Sequence, residues 1–501
     1  MLAGLLLAVA TAPLGMGPLV LVALVPLLWP LATSCRPRDA AWAGGACGLV
    51  FFGLGFLPFP LQLREPLIWG GFAVTVPLLS ALLALLAGAL GLLARRAGSD
   101  IALAAVPALW ATLELARADG PFGLPWLRLA DAVAEWPMLI QGAALGGATL
   151  VSAWIAAVNA ALAMALRAGS GRAWAVPCAI AALAFAGELP LAGAAAVGSD
   201  GLRIAAVQPA IPAAERSEAL LGANLERLLA LSRTAVRDAP DLVVWPEGAW
   251  RRWAGAQGEP FLGALANDLD TPVLAGVRRV APGSAWRWNS VVLGLPGGES
   301  RVVGDKVAPL PLYERAPDTG AARALARVVD WPGAVLAARE PGIAEVPTAR
   351  GGHVHVGILV CIDAAHPALA RSLRRRGAEL LVNVSNEAES GPWSARQHAA
   401  LVRLRAVETG LALVRIANTG PSLWVDAWGR EIGRLGAGRE ATATATVPPP
   451  RPQPPYAALG DAPILAALFA PPLVGLASRR RTPVVPGALE LRRRSLGRRT
   501  R

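Results

Sequence analysis

Three residues in the second half of the chain have side chains that could share one piece of chemistry. Cys361 follows the apolar run Val356, Gly357, Ile358, Leu359, Val360 and precedes a helical pattern. Lys306 closes Gly304-Asp305-Lys306 after the strand-like Arg301 to Val303, and Glu247 follows Leu242, Val243, Val244 and the pair Trp245-Pro246. All three stand where buried strands are expected to end, and in α/β sheets such ends are where sites form. The chemistry would be acyl transfer through a thioester. A thiol is mostly protonated at neutral pH, so it needs a base, which a carboxylate can be, and a nearby ammonium lowers its pKa. That ammonium, with the backbone N–H of Ile362, could also stabilise the oxyanion of a tetrahedral intermediate. Taken singly, each residue has a plainer reading, since a cysteine after an apolar strand is most often a packing residue. No spacing rule joins three residues spread over more than a hundred positions.

The elements that must position these residues read as alternating strands and helices from Gly201 onward. Strands are expected at Arg203 to Val207, Asp241 to Val244, Pro272 to Val277, Ser290 to Leu293, His353 to Val360, Glu379 to Val384 and Leu413 to Ile416. Helices are expected at Leu220 to Val236, Pro260 to Leu269, His366 to Arg376 and Ala395 to Thr409. The alternation predicts a layered α/β domain.

The first part of the chain is of another kind. A mean hydropathy of +0.47 with 16% charged residues in 501 does not suit a soluble protein of this size. Charges are scarce up to about Val197 and reach ordinary density between Gly201 and Val447. A spanning helix needs about 20 apolar residues, and the early stretch offers about seven candidates: 2–12, 17–33, 40–60, 67–94, 101–117, 137–166 and 173–196. The chain has no basic start ahead of its apolar residues, so a cleaved leader is not expected.

Arginines set the orientation, because positive loops stay cytoplasmic. Arg36 and Arg38, Arg95 and Arg96, and Arg167 and Arg172 fall in alternate loops, whereas the intervening loops carry chiefly Arg64 and Arg128. The N-terminus is then inside and the domain after the seventh span outside. An eighth helix near Ile464 to Ala477, expected over 463–478, would return the chain to the cytoplasm, where the basic tail 479–501 lies. Much of the net charge of +12 sits in that tail, which suits anionic headgroups and not nucleic acid. Glu114 and Arg117 are i, i+3 partners near the end of the fifth span, readable as an interfacial ion pair or as a functional pair. Of the four cysteines, Cys35, Cys47 and Cys178 lie in or beside apolar segments, so no disulfide framework is expected.

A wider set of motifs joins the three site residues. It includes Gln208-Pro209, Trp245-Pro246-Glu247, Asn289-Ser290, Asp305-Lys306 and Glu314, then Cys361, Asn383, Ser385, Asn386 and Gly391-Pro392. Gln397-His398, Arg403, Arg405-Ala406, Glu408, Gly410 and Ala417-Asn418-Thr419-Gly420 with Ser422, Asp426 and Gly429 complete it. This pattern resembles the carbon–nitrogen hydrolase (nitrilase) superfamily, and Pro107 to Trp110 with Glu114 and Pro125-Trp126 resemble its membrane-embedded branch, the apolipoprotein N-acyltransferases. The resemblance implies a helical transmembrane bundle over 1–197 with an extracytoplasmic αββα sandwich over 201–448. It implies a catalytic triad of Glu247, Lys306 and Cys361, supported by Glu314, Asp363 and Ile362, without metal or cofactor.

The implied activity moves an acyl chain from a membrane phospholipid, through the cysteine thioester, to the N-terminal amine of a diacylglyceryl-cysteine lipoprotein. The implied place is the bacterial inner membrane, and a monomer is expected. A membrane-tethered amidase and a non-catalytic lipid transporter or lipoprotein scaffold are the alternatives.

The sequence departs from the family's strings in three places. Ile362-Asp363 stand where an aromatic residue and a glutamate are usual. Val307, Ala308, Pro309, Leu310, Pro311, Leu312, Tyr313, Glu314 replaces a lysine loop that carries His and ends Val-Pro-Phe-Gly-Glu. Glu387, Ala388, Glu389, Ser390 replaces Asp-Ala-Trp-Phe.

Overall fold

The computed structural model describes residues 1–11, 14–33, 36–63, 66–118, 123–182, 201–215, 218–253, 260–280, 287–311, 313–314 and 335–480. Among them, four helices are long and apolar enough to cross a membrane: Pro37–Gln62, Ile68–Ala97, Ser99–Ala116 and Ala143–Ala168. Gly17–Thr33 and Ala462–Val474 are shorter apolar helices, and Leu2–Ala10 is helical too. Of the seventh expected span, 173–174 end the short helix Gly171–Trp174 and Ala175–Ala182 is helical, and 183–196 lies outside the described residues, as do Cys35, Arg64 and the tail from 481. Small residues let these helices approach closely: Gly44 and Gly48 abut the backbone of Leu83 and Ser80. Trp42, Leu49, Leu85 and Leu92 point outward. So much apolar exterior is unfavourable against water and is the expected surface against lipid.

The stretch 137–166, read as one continuous span, is broken in the structure. A short helix Pro137–Ile140 precedes Ala143–Ala168, which is interrupted at Gly146 and Gly147. Gly147 has φ +66°, and a Cβ there would come within 2.5 Å of the Tyr456 ring. A glycine is needed both for the backbone angle and for the space. The Ala148 N–H freed by the break donates to Glu408 Oε1 at 2.9 Å, so a carboxylate caps the resumed helix.

The second half forms two six-stranded sheets. Their strands are β1 (Leu202–Gln208), β2 (Leu242–Trp253), β3 (Val273–Val280), β4 (Arg287–Gly294), β5 (Ser300–Asp305) and β6 (Ile343–Pro347). These are followed by β7 (His353–Val360), β8 (Leu380–Ser385), β9 (Ala412–Ala417), β10 (Ser422–Val425), β11 (Glu431–Leu435) and β12 (Ala441–Val447). The orders are β12-β1-β2-β3-β4-β5 and β11-β10-β9-β8-β7-β6. The strands β1, β2 and β3 run parallel at the centre of one sheet, and β7, β8 and β9 at the centre of the other.

Side-chain alternation explains the layering. Ile204, Leu242, Val244, Val356, Ile358 and Val382 pack between the sheets. Ala205, Val243 and Trp245 face the helices Leu221–Ala235 and Phe261–Leu269, whose Leu228 and Leu262 share their core. Leu359 and Leu381 face Pro367–Arg375 and Gly391–Thr409, through Leu373 and Val402. The result is a four-layer αββα sandwich, each buried Leu, Ile or Val contributing about 1.5 to 3 kcal/mol.

The helix Gly391–Thr409 also joins the sandwich to the bundle. Its Leu401, Leu404 and Val407 belong to the bundle's own apolar core, together with Phe51, Trp126 and Leu127. Gln397 accepts a hydrogen bond from Trp126 Nε1 at 2.8 Å. Glu114 and Arg117 form no ion pair with each other. Glu114 accepts from Trp110 Nε1 and the Leu129 N–H, both at 2.9 Å. Arg117 donates to the carbonyls of Trp126 and Leu127 at 2.5 and 2.7 Å. The pair therefore shapes the loop that meets the sandwich.

Candidate active site

Lys306 leaves β5 directly and is almost fully buried, with Nζ 2.7 Å from Glu314 Oε1 and 3.6 Å from Glu247 Oε1. Glu247 does not follow the end of its strand as the sequence suggests. The strand β2 continues through it to Trp253, with its register against β3 shifted between Trp245 and Trp250. The reason lies in β3, where a Cβ on Gly276 would meet Glu247 Cα at 2.6 Å. Absence of that Cβ lets the bulged strand lie close and turn the carboxylate toward Lys306. Asn289 Nδ2 donates to Glu247 Oε1, and Asn386 Nδ2 donates to the Glu247 carbonyl at 3.1 Å.

Cys361 opens the turn after β7 with φ +50°, an angle that costs a non-glycine residue about 1 to 3 kcal/mol. The surroundings hold the turn. Asn383 Nδ2 donates to the Leu359 and Cys361 carbonyls at 3.2 and 3.1 Å, and His398 Nε2 lies 2.9 Å from the Cys361 carbonyl. Asp363 accepts from the Val360 N–H at 3.1 Å and the Ala308 N–H at 2.7 Å. This carboxylate, one methylene shorter than the family's, thus ties the cysteine turn to the lysine loop. Ile362, beside the thiol, packs into the apolar core of the bundle, and Leu310 of the lysine loop packs against it.

The electrostatics follow from burial among charges. Burial opposes a charged Lys306, yet the Cys361 sulfur, Glu314 and Glu247 outweigh it and hold the ammonium's pKa well above its usual value. Burial and the Glu247 carboxylate push the Cys361 thiol well up, against the pull of Lys306. Ionisation of the sulfur is thus opposed by burial and by Glu247, and a thiolate there and the Lys306 ammonium would stabilise each other. Asp363 is raised to about 6 by burial, with the hydrogen bond from Ala308 and the charge of Lys306 acting the other way.

A second buried cluster lies behind the sulfur. Glu387 is bonded by Arg415 Nη2 and Ser385 Oγ and sits 3.0 Å from His398 Nδ1, while Arg415 Nη1 donates to Asn383 Oδ1 at 2.8 Å. Burial favours a neutral Glu387, but the Arg415 guanidinium prevails and keeps it ionised. The sequence placed Arg415 in an apolar strand, where a charge demands a buried partner, and that was the available signal. Cys361, Glu387 and His398 offer ligand atoms within 4.8 Å of one another. A cation there would stand beside a guanidinium bound to the same carboxylate oxygen, so the set does not fit a metal.

Comparison with known proteins covers most of the chain. Residues 3–161 match the family described as the apolipoprotein N-acyltransferase N-terminal domain, and residues 203–454 match carbon-nitrogen hydrolase. A Geobacter metallireducens protein named apolipoprotein N-acyltransferase is 30% identical, over 96% of this chain and 95% of its own. The protein of that name from Gloeobacter violaceus is 31% identical, over 95% and 92%, and that from Azotobacter vinelandii 31%, over 86% and 85%. A solved amidase of the nitrilase superfamily from Nesterenkonia, 17% identical, aligns with 55% of this chain and 99% of its own at a TM-score of 0.40.

Proposed function

Since the chain belongs to the apolipoprotein N-acyltransferase family, we propose that it transfers an acyl chain from a membrane phospholipid to the α-amine of a diacylglyceryl-cysteine lipoprotein, with Glu247, Lys306 and Cys361 as its catalytic triad. The observation that carries the reading is the packing of Ile362, the residue after Cys361, into the bundle's apolar core, which ties the turn bearing the candidate thiol to the membrane-spanning part of the chain. In the first half-reaction Glu247 takes the Sγ proton as sulfur attacks the ester carbonyl. Lys306 and the Ile362 N–H stabilise the oxyanion. The C–O bond breaks, and Glu247 returns its proton to the departing lysophospholipid. In the second, the lipoprotein amine attacks the thioester and gives a proton to Glu247. The C–S bond breaks, leaving an amide and a thiol.

Glu314 and Asp363 serve as positioning residues, one on the Lys306 ammonium and the other on the cysteine turn. The arginine alternation supports an extracytoplasmic sandwich over 201–448, with Ala462–Arg480 returning the chain to a cytoplasmic tail. The test incubates purified protein with acyl-labelled phospholipid and then adds a diacylglyceryl peptide with a free N-terminal cysteine. Label should move first to the protein and then to the peptide amine. Label released only into water would instead favour a tethered hydrolase.

A further inference from the structure

Cys361 and Ile362 share one peptide unit, with the Cys361 carbonyl at one end and the Ile362 N–H at the other. A trans peptide is planar, so its N–H points away from its C=O, and whatever fixes one end fixes the other. Two buried side chains hold the carbonyl end: Asn383 Nδ2 donates at 3.1 Å, and His398 Nε2 lies at 2.9 Å. Both trace back to Arg415. Its Nη1 donates to Asn383 Oδ1 at 2.8 Å, which leaves the Nδ2 end of that amide for the carbonyl. Its Nη2 donates to Glu387 Oε1, which meets His398 Nδ1 at 3.0 Å. Both contacts of the imidazole are bonds only when Nε2 carries a proton and a second proton lies between Nδ1 and Glu387. Burial and the Arg415 guanidinium lower the ring's pKa, while Glu387 and the Cys361 carbonyl act the other way. Trp126 of the bundle packs against the same ring, with centroids 5.6 Å apart.

We propose that His398 is a positioning residue for the oxyanion site: with Asn383 it fixes and polarises the Cys361–Ile362 peptide, so that the Ile362 N–H meets the oxygen on which charge develops. The inference rests on the acyl-transfer reading above. As Sγ bonds to the ester carbon, the C=O electron pair moves to oxygen. An N–H whose own carbonyl already accepts hydrogen bonds is a stronger donor to that oxygen. The Cys361 φ of +50° makes the anchoring necessary, because a non-glycine residue holds that angle only when its surroundings impose it.

The experiment compares two reactions of Cys361 in the full-length, detergent-solubilised protein, each followed by the mass of the Cys361 peptide. With acyl-labelled phospholipid the sulfur attacks a carbonyl and an oxyanion forms. With iodoacetamide the S–C bond forms as the C–I bond breaks, iodide leaves, the thiol proton passes to Glu247 and no oxyanion arises. Since losing an oxyanion donor outright costs about 10² to 10³ in rate, His398→Leu should slow acylation about 10- to 100-fold and leave alkylation within about two-fold of the parent. His398→Gln, which offers an amide N–H in place of the Nε2 donor, should recover most of the acylation rate. Asn383→Ala removes the other donor and should show the same split, which keeps the test decisive if His398→Leu does not fold. Parental acylation in both His398→Leu and Asn383→Ala, alkylation slowed in step with acylation, or His398→Gln no faster than His398→Leu would overturn the positioning role alone. A parent protein that is alkylated at Cys361 but never acylated would overturn the transfer reading as well.

Discussion

Asp363 Oδ1 accepts a hydrogen bond from the Ala308 amide at 2.7 Å, so the turn that begins with Cys361 and the loop that begins after Lys306 are held by one carboxylate. Its second oxygen takes the Val360 N–H at 3.1 Å. An ionised carboxylate accepts all of these bonds, whereas a protonated one must direct a proton at amide donors.

The pH profile follows from this. The Asp363 pKa is raised to about 6 by burial, so protonation begins well above the pH at which an exposed aspartate titrates. Because the folded pKa exceeds the unfolded one, the folded state binds the extra proton between about pH 4 and 6, and stability at this group declines as pH rises through that window. Activity should run the other way, falling as pH drops through about 6 when the protonated carboxyl releases the amides. In Asp363→Asn acyl transfer should be low and should lose that step, as a pH profile of label transfer would show. A step that survives in Asp363→Asn would assign it to another group.

Glu314→Gln should slow acylation about 10- to 100-fold, since it removes the charge partner at 2.7 Å from Lys306 Nζ and bonds to charged groups contribute about 1.5 to 3 kcal/mol. Protein yield and thermal stability should stay close to the parent's. A variant with the parent's acylation rate would remove Glu314 from the site.

Arg415→Met should destabilise the protein by about 3 to 5 kcal/mol, because it leaves the buried Glu387 carboxylate without its guanidinium. The double variant Arg415→Met with Glu387→Gln should recover part of that loss, measured as Tm in the same detergent. Two additive losses would contradict the pairing.

Much of this was legible in the sequence where side-chain patterns are long and strict. The strand at His353 to Val360 falls on β7 residue for residue, because five consecutive apolar residues lead to a polar one. β10, with four residues, is too short to show a period. β12, Ala-Thr-Ala-Thr-Ala-Thr-Val, pairs along β1 on small side chains that carry little hydropathy contrast. Pro246 concealed the continuation of β2, since proline ordinarily ends a strand and a bulge at Glu247 depends on a glycine in the neighbouring strand. The charge network behind Cys361 joins Asn383, Glu387, His398 and Arg415 from three elements, and no local pattern links them.

The helix break makes a separate prediction. Gly147→Ala should lower stability by about 1 to 3 kcal/mol, from the left-handed backbone angle and from contact with the Tyr456 ring. Adding Tyr456→Ala should relieve the contact but not the backbone strain. A Gly147→Ala protein as stable as the parent would show that the helix can resume without the break.

Orientation can be read with fused reporters. One placed after Ala196 should lie outside the cytoplasm and one after Arg481 inside, and both on the same side would remove the return helix.

The central claim is a covalent acyl group on Cys361, formed with Glu247 as base. The direct measurement is the mass of the Cys361 peptide after incubation with phospholipid and no acceptor. The parent should gain one acyl chain at Cys361, Cys361→Ala none, and Glu247→Gln should gain it about 10² to 10⁴ times more slowly. Adding the diacylglyceryl peptide should then discharge the parent's acyl group onto the peptide amine. Transfer to the amine by Cys361→Ala at the parental rate would contradict the account.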